Sequence, residues 1–228
     1  MKTLSEKPTE LHTISKVAEL GYRALNKLPF LPCSRRYNIT VCHTKRFIWF
    51  RVPKAGSATI YDLLSKGNVI LDAESPYDIF YPVRAYQDYF KFAFIRNPWD
   101  RLVSCWRNKV VDNNHFDFSG AELPLMREFA NFVDFVSGLN TENCDPHLRL
   151  QCRLIDLDQI DYLGRLESID RDLFEIFRIL DIPLMDIQRK NVSSGKNPYW
   201  YYYDNELVEK VYQIYRRDIQ IFGYNYQR

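Results

Sequence analysis

The sequence predicts an α/β fold built on a mainly parallel sheet, and three observations carry that expectation. Short apolar, aromatic-rich runs suited to buried strands alternate with stretches whose apolar residues recur at helical spacing. The runs lead almost directly into helix-start signals, the arrangement of repeated strand–loop–helix units. The chain has 228 residues, 46% hydrophobic and 26% charged, which is ordinary composition for one domain that buries a core without staples.

Residues 1–12 are polar, and Ile14, Val17, Ala18, Leu25 and Leu28 then fall near helical spacing. Residues 1–44 therefore read as a tail and an amphipathic helix packed on the domain surface, ahead of a single domain over 45–228. Lys45 to Val52 (KRFIWFRV) is the first predicted strand. After Pro53-Lys54-Ala55-Gly56-Ser57 a helical pattern runs through Ile60, Leu63 and Leu64 to a stop at Gly67. Phe90 to Ile95 (FKFAFI) is the second strand, and it runs into Asn97-Pro98-Trp99-Asp100. There Asn97 can cap, Pro98 suits the first helical position and Asp100 suits the positive first turn, so a helix is expected to about Lys109. Residues 112–124 read as a loop, 129–139 as a helix, Tyr162 to Leu166 as a third strand and 170–180 as its following helix. A polar, basic loop over 189–199 precedes a last helix from Asp204 to Phe222, ended by Gly223.

Composition also excludes some classes. A net charge of +2, from 31 basic and 29 acidic residues, is too balanced for a general nucleic-acid binder, so an anionic ligand needs a local cluster. The five cysteines, Cys33, Cys42, Cys105, Cys144 and Cys152, are odd in number and lack metal-ligand spacing. Reduced thiols are expected, with no zinc site. No run approaches the ~20 apolar residues of a membrane span, and no signal peptide is apparent. The expected location is the cytoplasm; a lumenal enzyme separated from its anchor is the alternative.

Two segments suit anion binding. In RVPKAGSAT (51–59) a loop joins a strand to a helix, which turns backbone N–H groups and the positive helix end toward an anion. Gly56 permits close backbone approach, Ser57 and Thr59 offer hydroxyls, and Lys54 offers a mobile point charge. The Walker A spacing is absent. A plain turn with a surface lysine is the bland alternative. At the end of the second strand stands Arg96, just ahead of a helix start, with Ser104 further along that helix. Guanidinium and hydroxyl could share one phosphate there, or Arg96 could simply bond the sheet end. Two such sites in succession fit a ligand with two separated phosphates.

With those residues in view, RVPKAGSAT resembles the 5'-phosphosulfate loop of sulfotransferases that use 3'-phosphoadenosine 5'-phosphosulfate (PAPS), and FAFIRNPWDRLVS (92–104) resembles their 3'-phosphate motif. DYLGRLESIDRDL (161–173) is similar to the family's GRxE strand and acidic helix. KNVSSGK (190–196) and the last helix are similar to its Asn-x-Ser loop and terminal helix. The likeness spans about residues 45–224 and is to the family 2 type, which includes Golgi carbohydrate sulfotransferases and soluble bacterial members. It implies a three-layer, P-loop-like sulfotransferase fold and in-line transfer of a sulfuryl group from PAPS to a hydroxyl of a carbohydrate, small-molecule or natural-product acceptor. Adenosine 3',5'-bisphosphate (PAP) would be the product, and no metal would be needed. It also implies that Arg51, Pro53, Lys54, Ala55, Gly56, Ser57, Ala58 and Thr59 cradle the phosphosulfate. Arg96 and Ser104 would hold the 3'-phosphate, and Asn191, Ser193 and Lys196 would close over the nucleotide. Arg165 fits ligand contact or strand-end packing, with packing preferred.

The acceptor hydroxyl needs a base, and the histidine that many soluble relatives carry after the first helix is missing. His147, in DPHLRLQ (145–151), lies in a segment similar to the family's His-x-x-Pro-Gln and is the candidate base, while Lys54 is the other catalytic residue and would neutralise the charge that builds on the bridging oxygen. A structural histidine is the alternative, in which case the base falls to His115, Asp72 or Glu74. The aromatic run Tyr199 to Tyr203 is expected mainly to pack the last helix. A nucleotide kinase and a binding module without turnover are the rival functions.

Overall fold

The computed structural model describes residues 36–73, 79–80, 83–183 and 197–227. The expected N-terminal helix, Glu74, and the Asn191, Ser193 and Lys196 loop lie outside the described residues.

The centre is a four-stranded mixed sheet of β2 (Ile39–Cys42), β3 (Phe47–Phe50), β5 (Phe90–Ile95) and β6 (Tyr162–Arg165), in that spatial order. β3–β5 and β5–β6 are parallel, as expected for crossover connections, while β2 pairs antiparallel with β3. A small antiparallel pair, β1 (Arg36–Tyr37) with β4 (Ile79–Phe80), stands apart. β2 and β3 form a hairpin across the boundary drawn at 44/45. All four residues of β2 are buried, and its ladder with β3 ends at Cys42 and Phe47. The first strand is accordingly shorter than 45–52. Lys45 and Arg46 belong to the hairpin turn, where Arg46 N–H bonds the His43 carbonyl and Arg46 takes a φ of 50°.

Helices flank the sheet: α1 (Ser57–Lys66), α2 (Pro98–Trp106), the short α3 (Glu122–Met126), α4 (Phe129–Ser137), α5 (Ile169–Ile179) and α6 (Asn205–Phe222). The burial stripes follow helical spacing, with Ile60, Leu63 and Leu64 in α1 and Ile169, Leu173, Ile176 and Phe177 in α5. The termini obey the sequence signals. The Asn97 carboxamide oxygen accepts from Trp99 N–H at 3.0 Å, Pro98 opens α2, and Gly223 closes α6 in the left-handed conformation at φ 64°. α2 passes into a π-turn over Arg107–Val111, so the run predicted to end near Lys109 extends slightly further. Among the described residues, no helix is long and apolar enough to cross a membrane. The four described cysteines are unpaired thiols, and burial holds those of Cys105 and Cys152 near 12.

Alternation places Thr40, Trp49, Phe92 and Phe94 on one face, where Trp49 stacks on Phe92 and meets Tyr61 of α1 edge-on. Gly164 pairs with Phe94 across β5–β6, and a Cβ there would lie 2.5 Å from the Phe94 ring. Gly164→Ala should therefore destabilise the fold by about 1–3 kcal/mol through overpacking. A chemical denaturation midpoint equal to wild type would show that the ring gives way freely.

Candidate active site

The carboxyl ends of the parallel strands β3 and β5 lie side by side, where open α/β sheets take their ligands. The segment after β3 turns sharply through two positive-φ residues, Lys54 at 70° and Gly56 at 90°, and Ala55 N–H bonds the Val52 carbonyl. Gly56 is the N-cap of α1 and supplies no side-chain cap, so the first-turn N–H groups of Ser57, Ala58 and Thr59 remain suited to an anion. Glycine is required twice over. Its φ disfavours other residues, and a Cβ would sit 2.9 Å from Ile169 and 3.0 Å from Leu166.

β5 delivers Arg96 to the same place. Its Nη1 donates to the Lys54 carbonyl at 3.0 Å, tying together the two segments expected to bind anions. Its Nε and Nη2 make a bidentate pair with Asp100, both at 2.8 Å, one turn into α2. The main chain of Arg96 is clamped by Gln151, whose carboxamide accepts from Arg96 N–H at 3.0 Å and donates to its carbonyl at 2.8 Å. Gln151 is fully buried, and Asp218 of α6 fixes its backbone N–H at 2.7 Å.

Lys54 Nζ donates to the Asn108 carboxamide at 3.1 Å, on the π-turn after α2. Arg101 is the brace behind this contact. Buried to 2% exposure, it donates to the carbonyls of Pro53 at 3.1 Å, Pro146 at 2.9 Å and Arg149 at 2.9 Å. The 145–150 segment is thereby fastened to the loop after β3, and it carries His147.

His147 Nδ1 faces Asp145 Oδ1 at 2.8 Å, and Oδ1 also accepts from the His147 N–H at 2.8 Å. His115 Nε2 faces the other carboxylate oxygen at 3.2 Å, with the two imidazoles 4.9 Å apart between centroids. Burial raises Asp145, but hydrogen bonds from His147 and then His115 outweigh it and hold the carboxyl well below the usual range. Burial lowers His147, only partly offset by Asp145, so the ring is neutral at pH 7 with Nδ1–H donating and Nε2 left to accept a proton. His115, Asp145 and His147 could also hold a metal ion, a grouping that cysteine spacing does not reveal and that departs from the expectation of no metal site.

Residues 37–225 match the family model described as the sulfotransferase family, which is most of the chain. The chain belongs to the sulfotransferase family. The chain is 26% identical over 168 residues to carbohydrate sulfotransferase 12 of Mus musculus, covering 60% of this chain and 40% of that protein. It is 25% identical over 169 residues to carbohydrate sulfotransferase 10 of Xenopus laevis, covering 60% and 47%. With carbohydrate sulfotransferase 11 of Rattus norvegicus the identity is 22% over 168 residues, covering 61% and 48%. The alignments thus span less than half of each curated relative. No solved structure matches.

Other expected site residues fall in different surroundings. Arg51 is buried at the end of β3, where its N–H bonds the Asn38 carbonyl at 2.8 Å. Thr59 is buried on α1, Ala58 is exposed, and Ser104 is half-buried on α2. Arg165 donates to the Phe222 carbonyl and lies over the Tyr224 ring at 4.6 Å. Glu167 accepts from Asn97 N–H at 2.6 Å and from Tyr224. Asp72 accepts from His43 N–H at 2.6 Å, beside Cys42, whereas the loop leaves β3 beyond Phe50. The Cys42–Phe47 and Ile39–Phe50 pairs are three residues apart, so Asp72 stands ~10 Å down the sheet from the loop and is ill-placed as a base. In the aromatic run Tyr203 is buried, bonding the Trp99 carbonyl at 3.0 Å, while Trp200 and Tyr201 are exposed.

Sequence reasoning missed Arg101, Asn108, Gln151 and the pairing of Asp145 with both histidines. Gln151 alone had a signal, the terminal Gln of the segment similar to His-x-x-Pro-Gln.

Proposed function

We propose that this protein is a PAPS-dependent sulfotransferase with the three-layer, P-loop-like fold of its family, acting in line on a hydroxyl of a carbohydrate or related small acceptor. The observation that carries the reading is the Arg96–Lys54 carbonyl bond, because it sets a cation for a second phosphate beside the loop that would take the first. A carbohydrate acceptor is supported by the names of the relatives. Such an acceptor does not require a cytoplasmic enzyme, so that location forms no part of the proposal.

The residues fit the nucleotide: the Gly56 turn admits no Cβ, and the uncapped α1 start offers several N–H donors. When bound, PAPS supplies an activated sulfuryl group on a phosphate leaving group. The N–H groups of residues 57–59 and the α1 dipole hold that phosphate, with the Ser57 and Thr59 hydroxyls beside them. Arg96 turns from Asp100 toward the 3'-phosphate, with Ser104 as its neighbour. Lys54 exchanges its Asn108 contact for the bridging oxygen and neutralises the charge that develops there, since transfer through a loose transition state is governed by positioning and electrostatics. His147 Nε2 takes the acceptor proton, and Asp145 holds the ring in the competent tautomer.

Labelled PAPS supplied with carbohydrate and small alcohol acceptors, in the presence of EDTA, should give labelled sulfate ester. Calorimetry should show PAP binding far more tightly than adenosine 5'-monophosphate, since charge-assisted contacts to the 3'-phosphate are worth ~1.5–3 kcal/mol each. Equal affinity for the two nucleotides, or transfer that needs added magnesium, would overturn the assignment.

A further inference from the structure

We propose that His115, Asp145 and His147 form a zinc-binding site whose occupation switches the enzyme off. The three side chains come from two separate stretches of chain and offer two imidazole nitrogens and a carboxylate oxygen, all within 4.8 Å of one another. Imidazole with carboxylate is a donor set suited to zinc. Two ligands, each ~2.0–2.1 Å from a tetrahedral zinc ion, stand ~3.3 Å apart. Asp145 already lies 2.8 Å from His147 and 3.2 Å from His115, so the metal requires only a modest spreading of these contacts and a turn of the two rings. Side-chain exposures of 34% for His115, 35% for Asp145 and 22% for His147 leave an entry path and room for the water that completes a three-ligand site. Lys109 acts against the cation from nearby, and Asp145 is the carboxylate that offsets it.

Inhibition follows from which nitrogen is used. The atom of His147 that faces the site is Nδ1, the one bonded to Asp145. A neutral ring that gives its Nδ1 lone pair to zinc must carry its proton on Nε2. The proton moves from one ring nitrogen to the other and nothing is oxidised or reduced. Nε2 is then a donor and cannot accept the acceptor proton. Zinc thus removes the base without touching the nucleotide loop. This second half rests on the function proposed above; the binding half does not.

The test uses the full chain stripped with EDTA. Zinc chloride titrated calorimetrically should bind at one site per chain, and cobalt(II) at the same site should give the visible absorption of a tetrahedral ion. His115→Ala and, separately, the isosteric Asp145→Asn should each weaken zinc at least ~100-fold, more than the loss of an outer-shell partner. Cys144→Ser should bind like wild type, because Cys144 is not one of the three grouped ligands. Absent saturable binding, or affinity indifferent to both His115→Ala and Asp145→Asn, overturns the site. Sulfuryl transfer should fall in step with occupancy and return on chelation. Zinc bound without inhibition would sustain the site and overturn His147 as the base.

Discussion

Lys54→Met should leave a folded protein whose turnover is down by about 10²–10³, the usual cost of removing one preorganised group that stabilises transition-state charge. Methionine keeps the apolar stem and removes only the ammonium. The lost contact is a hydrogen bond to Asn108 from a partly exposed side chain, so the melting temperature should hardly move. The loop keeps its shape for independent reasons: Arg101 holds the Pro53 carbonyl, Arg96 holds the Lys54 carbonyl, and Gly56 packs against Ile169. Affinity for PAP should fall less than turnover, because Lys54 is assigned to the oxygen whose charge grows during transfer. Arginine is not expected to restore activity, since a planar fork replaces a compact point charge. Near-normal turnover in a soluble Lys54→Met protein would mean that the loop binds no phosphosulfate.

His147→Ala should lower kcat/KM by ~10²–10⁴, the typical contribution of a general base. The pH profile gives the sharper test. The base works when neutral, so the rate must fall as pH drops through the folded pKa of His147. Burial depresses that pKa below 6.5 and the Asp145 bond only partly restores it, so the acid limb lies below 6.5 and the rate is level at pH 7 and above. Asp145→Asn removes a partner that raises the histidine, so the limb should move to still lower pH while the plateau falls. The amide can present either an acceptor or a donor to Nδ1, and in the second case the wrong tautomer results. A structural role for Asp145 would lower activity without moving the limb. If His147→Ala keeps the wild-type acid limb and lies within a few-fold in rate, His147 only supports the segment. With Asp72 at the far end of the sheet, the search would then turn to His115 or Glu74.

Much of the frame was legible because it is local. Phe47–Phe50, Phe90–Ile95 and Tyr162–Arg165 are short apolar runs bounded by helix starts. Asn97-Pro98 and Gly223 act through their own backbone and their nearest turn. The hairpin strand β2 escaped notice because four residues, one of them a threonine, carry little periodicity. Its burial depends on β3, and Thr40 is satisfied by Tyr61, 21 residues away. At the site, the loop and Arg96 could be picked out as candidate anion binders from residue type and position alone. Arg96 proved to be shared with Asp100 and the Lys54 carbonyl, which a motif does not encode.

The sequence by itself determined the parallel α/β frame, the glycine turn ahead of α1 and the cation at the end of β5, since each depends on neighbours within a turn or two. Only the tertiary structure decided how those pieces act together. Arg101 spans from Pro53 to Pro146 and Arg149, Gln151 from Asp218 to Arg96, and Asp145 to a histidine 30 residues earlier. Buried polar groups must find partners wherever the fold places them, so such contacts follow from packing and leave no fixed spacing to read.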